Sequence, residues 1–142
     1  NLYSDAYHSY QTWNGKVANR FAPKYTVFSL WDTFRGLHPL FTLTQPQRLP
    51  HMLNSLLSFY DDNGLLPVWD LSTWETNTMT GYHAVPVLAD AILKNVPGID
   101  VQKAYAAMLK SASQQQRGTP EYIKFGYLPQ DKHGWSVTIT LE

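Results

Sequence analysis

Two polar segments of the sequence carry the side chains best suited to chemistry, residues 28–35 and residues 65–84. The shorter segment reads FSLWDTFR and the longer one reads LLPVWDLSTWETNTMTGYHA. The longer segment supplies indole, carboxylate, amide, phenol and imidazole groups from Trp69, Asp70, Trp74, Glu75, Asn77, Tyr82 and His83. Aromatic rings can cover the apolar C–H faces of a pyranose, while carboxylates and amides bind its hydroxyl groups. The two segments therefore favour a carbohydrate-binding pocket.

The longer segment is expected to be an ordered loop. It lies between two apolar helical patterns, and a loop of this length is uncommon in a compact domain unless it is functional or disordered. Its tryptophans, leucines and tyrosine argue against disorder, because disordered segments are poor in such residues. We therefore expect residues 65–84 to form a site without regular secondary structure.

The same side chains also have ordinary structural explanations. Asp32 lies three residues after Ser29, which is the spacing of a helix capping box, and Arg35 could pair with Asp32 across one helical turn. Glu75 could be an exposed loop acid, and His83 could make a structural hydrogen bond at a helix start. On the residues alone, both kinds of explanation stay open.

Composition and spacing exclude several other classes of protein. The 142 residues are 44% apolar, carry a formal net charge of zero and include no cysteine. Because there is no basic run, the chain lacks the electrostatic footprint of a nucleic-acid binder. No apolar stretch approaches the ~20 residues that a membrane span requires. The five histidines are scattered without zinc-site spacing, and residues 61–64 (DDNG) lack the spacing of an EF-hand.

Apolar periodicity predicts five helices. The first begins near Ser29 and should kink or break at Pro39, which removes a backbone donor. The others are expected over about residues 46–60, 80–94, 101–113 and 119–125. Asp100 is the expected N-cap of the fourth helix, and Gly126 should end the fifth.

The other segments are not expected to be helical. Residues 1–27 are predicted to be irregular, and residues 136–142 (SVTITLE) favour a strand by propensity. Helices that alternate with loops, with the chemistry in alternate loops, predict an all-α fold built of helical hairpins. Five helices would complete only part of a closed toroid or bundle.

Three long motifs resemble those of a known enzyme family. They are FSLWDTFRGLHPLFTLTQPQRL, NSLLSFYDDNGLLPVWDL and ETNTMTGYHAVPVLADAILKNVPGID. With DVQKAYAAMLKSA and GYLPQDKHGWSVTITLE, they closely resemble the calcium-dependent α-mannosidases of glycoside hydrolase family 92. The likeness covers nearly all of the chain from about Tyr7. It implies that residues 1–142 are the N-terminal part of a helical catalytic domain, a partial (α/α)6 toroid that follows a β-sandwich in whole members.

The resemblance also implies an activity and a setting. Family members are exo-acting, inverting hydrolases of α-mannosidic bonds in N-glycans or mannans, and they use a bound calcium ion. The implied partners are a mannose-containing oligosaccharide and the remainder of the parent protein. Most members are bacterial and are periplasmic, attached to the cell surface or secreted, so we expect one of these locations.

Matching the family motifs residue by residue implies a substrate-binding set at the mannose of the −1 subsite. Its members are Trp31, Asp32, Arg35, Glu75, Asn77 and His83. Asp32 is the implied contact to mannose hydroxyls. Thr78 departs from the family pattern, since members often have cysteine there.

The catalytic pair is expected elsewhere. Inverting hydrolysis needs an acid and a base whose carboxyl groups are about 6.5 to 9.5 Å apart, and Asp32 and Glu75 are the only pocket-suited pair here. The family's general acid, general base and main calcium-site segments belong to motifs further toward the C-terminus, which do not occur in this sequence. Glu75 is therefore only a minor candidate for the acid, and residues 1–142 alone are expected to be inactive.

Two other functions stay open on the sequence. One is a noncatalytic helical carbohydrate-binding module. The other is a toroid from a different glycosidase family in which Glu75 itself is the acid.

Overall fold

The computed structural model describes residues 1–129, in which six helices and four short strands follow one another. The helices are α1 Leu30–Thr33, α2 Leu37–Thr44, α3 Leu49–Asn63, α4 Ala84–Leu93, α5 Val101–Ala112 and α6 Thr119–Phe125. The strands are β1 Ser9–Gln11, β2 Val17–Asn19, β3 Asp70–Leu71 and β4 Trp74–Glu75. This part of the chain is mainly helical, as predicted, and none of its helices is long and apolar enough to cross a membrane. The strand predicted at residues 136–142 lies outside the described residues.

The hydrophobic core lies where α3, α4 and α5 pack together. Helix α3 contributes a row of leucines at helical spacing, Leu49, Leu53, Leu56 and Leu57, all nearly inaccessible to solvent. Ala104 and Ala107 of α5 are also fully buried, and their small side chains allow the helices to approach closely. Burying one leucine side chain stabilises the fold by roughly 1.5–3 kcal/mol. The core therefore fixes the end of α3 and the start of α4, between which residues 65–83 run.

The first predicted helix is two helices in the structure. Helix α1 ends at Thr33, and α2 begins at Leu37 after Gly36. Pro39 lies in the first turn of α2, where its missing N–H has no helical partner to lose, so it does not break the helix. The predicted capping box is wrong, because Ser29 makes no side-chain hydrogen bond at the start of α1.

The later helices agree better with the sequence. Helix α5 begins after Asp100, whose carboxylate accepts a hydrogen bond of 3.0 Å from the Lys103 N–H, as the predicted N-cap should. Gly126 ends α6 in the left-handed conformation, again as predicted. Helix α4 begins only at Ala84, because the preceding turn contains Gly81 with a φ of +69°.

Two β-hairpins were not predicted. In the N-terminal segment, β1 pairs antiparallel with β2, with Tyr10 opposite Ala18, so residues 1–27 are more regular than expected. Inside the long loop, β3 pairs with β4, with Asp70 opposite Glu75. The loop is therefore ordered by its own hairpin rather than being free of regular structure.

Candidate functional site

Helix α1 and the long loop come together through aromatic contacts. The indole rings of Trp31 and Trp69 meet edge to face, with centroids 5.3 Å apart and an interplanar angle of 80°. One turn along, the Phe34 ring lies 4.4 Å from the imidazole of His83. The two chemistry-bearing segments, which are 38 positions apart at Trp31 and Trp69 and 49 apart at Phe34 and His83, therefore meet at α1.

Asp32 lies in α1, and Arg35 follows two residues after the end of that helix. Both residues are exposed, and the Asp32 carboxylate makes no hydrogen bond or ion pair with the described residues. The Arg35 guanidinium lies over the Phe34 ring, 4.9 Å from its centroid. It does not form the ion pair with Asp32 that was one explanation of these two residues. The Asp32 carboxylate, next in sequence to Trp31, is therefore not engaged by any other described side chain.

Glu75 is bound by the backbone of its own loop. Its Oε2 accepts a hydrogen bond of 2.7 Å from the Val68 N–H, and its Oε1 accepts bonds of 3.2 Å from Trp69 and 3.0 Å from Asn77. The side chain is also largely shielded from solvent, so the interpretation as an exposed loop acid is wrong. Both oxygens of the Glu75 carboxylate therefore stabilise the conformation of the loop.

Arg117 joins this cluster from the linker between α5 and α6, and the sequence did not predict it. The Arg117 Nε donates a hydrogen bond of 3.0 Å to the Asn77 Oδ1. The Arg117 Nη2 donates a second hydrogen bond to the same oxygen. The same group lies 3.8 Å from the Glu75 Oε1. Burial lowers the pKa of Arg117, and the nearby Glu75 carboxylate opposes that change. We call Glu75, Asn77 and Arg117 the loop clamp.

His83 is a packed residue at the start of α4. It is 5% exposed, and its ring lies against Phe34 on one side and Gly81 on the other. A Cβ atom at position 81 would collide with the imidazole, so only glycine fits there. The structure therefore places His83 at the junction of α1 and the loop.

A layer of buried polar side chains connects the N-terminal segment to α3 and to the long loop. The Lys24 ammonium donates hydrogen bonds of 3.0 Å to the Ser55 carbonyl and to the Ser58 Oγ of α3. Burial lowers the pKa of Lys24 to about 8, although Asp70 partly opposes the change. Asp70, 2% exposed, accepts a bond of 2.7 Å from the Thr26 Oγ1, and burial raises its pKa. This layer ties the loop to α3.

The predicted site residues therefore fall into two groups. Trp31 and Asp32 lie on α1 and Arg35 follows shortly after it, with Asp32 and Arg35 exposed, whereas Glu75 and Asn77 are engaged in the loop clamp. No hydrogen bond or ion pair joins Asp32 to Glu75 in residues 1–129. Within the same residues, no three His, Cys, Asp or Glu side chains converge in a group that could hold a metal ion.

Comparison with known proteins identifies the family. The model of the glycosyl hydrolase family 92 catalytic domain matches residues 1–142. The chain therefore belongs to glycoside hydrolase family 92. A comparison with functionally curated proteins gives no match.

Solved structures of two enzymes from Bacteroides thetaiotaomicron are similar to this chain. The family GH92 α-mannosidase BT3965, in complex with mannoimidazole, is 41% identical, with a TM-score of 0.87 over 92% of this chain. The inverting mannosidase BT2199 is 33% identical, with a TM-score of 0.72 over 85% of this chain. The chain spans 18% of the first of these proteins and 17% of the second.

Proposed function

We propose that the complete protein is an exo-acting, inverting α-mannosidase that hydrolyses α-mannosidic bonds of N-glycans or mannans. The observation that carries this proposal is the exposed Asp32 carboxylate on the helix whose Trp31 contacts Trp69, in a chain similar to α-mannosidases. A ring face and a free carboxylate suit the two surfaces of a hexose. Because the chain belongs to family 92, a toroid from another glycosidase family is no longer a competing explanation.

In this proposal the described residues form part of the −1 subsite wall. Asp32 accepts hydrogen bonds from mannose hydroxyls, Trp31 packs beside the ring, and Arg35 contributes a cation at the rim. Glu75, Asn77 and His83 position the wall, since the first two are held in the loop clamp and the third is packed under α1. The surrounding helices form part of an (α/α)6 toroid, with residues 1–142 in its N-terminal portion.

The general acid and general base come from other parts of the protein. The Glu75 carboxylate is occupied by three backbone N–H groups, and donating a proton from it would sacrifice at least one of these bonds. Calcium is proposed to bind outside the described residues, because those residues do not fit a metal site. The proposed setting is periplasmic, cell-surface or secreted in a bacterium.

The proposal is tested on the complete gene product with a nitrophenyl α-mannoside. We expect turnover that mannoimidazole inhibits, because the relative BT3965 binds that compound. Residues 1–142 assayed alone should be inactive. EDTA-sensitive turnover by them would contradict the proposal that the general acid and base lie in other parts of the protein. A complete protein that binds mannose but hydrolyses no α-mannoside would favour a noncatalytic binding module instead.

Asp32→Asn is the sharpest single substitution. Losing a hydrogen bond to a charged group costs about 1.5–3 kcal/mol, so we expect kcat/KM for the nitrophenyl α-mannoside to fall about 10- to 100-fold. The melting temperature should change little, because the Asp32 side chain is exposed and unpaired among residues 1–129.

Asp90→Asn is the matched control for this substitution. Within residues 1–129, Asp90 forms an ion pair with Lys94 alone, 2.8 Å away at the surface, and such pairs contribute about 0–1 kcal/mol. Activity should be unchanged in this variant. Equal activity of the Asp32→Asn variant and the wild type would remove Asp32 from the proposed subsite.

A further inference from the structure

A groove of about 320 Å³ opens between the two β-hairpins. Its lining includes Gln11 and Trp13 of the N-terminal hairpin, the preceding Tyr3, and Ser72, Thr73 and Trp74 of the loop hairpin. None of its lining side chains is charged. Its volume falls at the lower end of the roughly 300–1,000 Å³ typical of small-molecule sites.

Two indole rings form the apolar surface of the groove. Trp13 and Trp74 are 43% and 60% exposed, and their rings meet edge to face with centroids 6.1 Å apart. The Trp13 Nε1 donates a hydrogen bond of 3.0 Å to the Asp62 carbonyl, which fixes the orientation of its ring. The groove thus presents large aromatic faces that are held in place but left in solvent.

Polar groups complete the groove. The Gln11 amide and the Ser72 hydroxyl make no side-chain hydrogen bonds within residues 1–129, so they are available to a ligand. The two hairpins are joined by the Thr73 Oγ1, which donates a bond of 3.3 Å to the Gln11 carbonyl. The walls are therefore fixed relative to each other before any ligand binds.

We propose that this groove binds a neutral oligosaccharide, through sugar rings that are distant from the bond to be cleaved. Exposed indole faces match the C–H faces of a pyranose, and uncharged amide and hydroxyl groups match its hydroxyls. The choice of mannose as the sugar rests on the proposed function. The inference that the groove binds a neutral saccharide rests on its lining residues alone.

The groove is separate from the −1 subsite wall. Trp74 and Glu75 are neighbours on β4, and successive side chains of a strand point to opposite faces. Glu75 faces the loop clamp, while Trp74 faces the groove. The groove and the subsite wall share no residue among those that we assign.

The test is calorimetric titration of α-mannotriose into the complete gene product saturated with mannoimidazole. Inhibition of nitrophenyl α-mannoside turnover by mannoimidazole reports the proposed function separately. We expect residual mannotriose binding in the wild type and about tenfold weaker binding in Trp74→Ala and in Gln11→Ala. Trp74→Phe should retain most of the affinity because it keeps a ring face.

Tyr105→Ala is the matched control, since Tyr105 is an aromatic side chain of α5 that is 62% exposed and does not line the groove. Its affinity for mannotriose should equal that of the wild type. Absence of binding in the saturated wild type would overturn the proposal, as would equal affinity in the wild type and in Gln11→Ala. Gln11→Ala removes only an exposed amide, so it still tests the groove if Trp74→Ala does not fold.

Discussion

Asp32 and Glu75 are both carboxylates that follow a tryptophan in the sequence, yet their surroundings suit them to different roles. Asp32 extends from a helix into solvent and is open to a ligand. Glu75 accepts three backbone hydrogen bonds and lies near the Arg117 guanidinium. Residue type alone therefore does not distinguish a ligand contact from a structural acceptor, and the partners of each oxygen do.

Glu75→Gln separates the loop clamp from acid catalysis. The amide replaces one acceptor oxygen with a donor, so at least one backbone N–H of the loop loses its partner. We expect a loss of about 1–3 kcal/mol in the free energy of unfolding, measured by urea denaturation of the complete protein. Loss of kcat with unchanged stability would instead identify Glu75 as the acid.

Asp100→Asn is the control for this change, because asparagine is as good an N-cap as aspartate and can still accept from the Lys103 N–H. The free energy of unfolding should stay within about 0.5 kcal/mol of the wild type, as for most neutral surface changes.

The buried Lys24 ammonium makes stability depend on pH. Its folded-state pKa is about 8, below the ordinary value of 10.5, so between these values the unfolded chain binds more protons than the folded one. Stability contributed through Lys24 therefore rises as the pH increases through this window. Denaturation of the wild type and of Lys24→Met across the window should give a slope that is less positive in the variant. If the free energy of unfolding depended on pH equally in the wild type and in Lys24→Met, the pH dependence could not be assigned to Lys24.

At the scale of elements, the turn before α4 sets how the loop meets α1. Gly81 has a φ of +69°, and a side chain there would collide with His83. Gly81→Ala should lower the free energy of unfolding by about 1–3 kcal/mol, because it combines backbone strain with a steric clash. Thermal or urea denaturation measures the effect.

Gly36→Ala is the matched control at the other helix boundary. Gly36 has a φ of −125°, and a Cβ atom there would meet nothing within 4 Å. The substitution should leave stability nearly unchanged. If both alanine variants were equally stable, the steric account of Gly81 would be wrong.

Local signals predicted the elements that local interactions determine. The leucine row of α3, the Asp100 cap of α5 and Gly126 after α6 each depend on neighbours within a turn or two, and all were readable from the sequence. The hairpins have strands of only two or three residues, which is too short for an alternating pattern to appear. Their positions depend on tertiary contacts that the sequence does not display.

The candidate site was predicted only in part for the same reason. Aromatic and acidic residue types indicated which segments would meet, and α1 does contact the loop. Arg117 reaches Asn77 across 40 positions of sequence, and it lies in a polar linker with no distinctive pattern. A partner that distant can be found only once the fold has brought the two segments together.

At the scale of the whole molecule, we propose that the described residues supply only part of the machinery of an α-mannosidase. The chain spans 18% of the mannosidase BT3965, and the proposed calcium ligands lie outside residues 1–129. EDTA should therefore abolish nitrophenyl α-mannoside turnover by the complete protein, and added Ca²⁺ should restore it. Mg²⁺ should restore it poorly, because it demands a tighter octahedral geometry. Turnover that is insensitive to EDTA would exclude the proposed calcium requirement.

Strand β4 consists of Trp74 and Glu75 alone, with one side chain on each of its faces. Inserting or deleting a single residue in the preceding turn would exchange those faces, moving the acid toward the groove and the indole toward the clamp. One such event would disable both the proposed saccharide groove and the proposed support of the subsite wall. The length of the turn at residues 72–73 therefore decides which of the two side chains faces the groove.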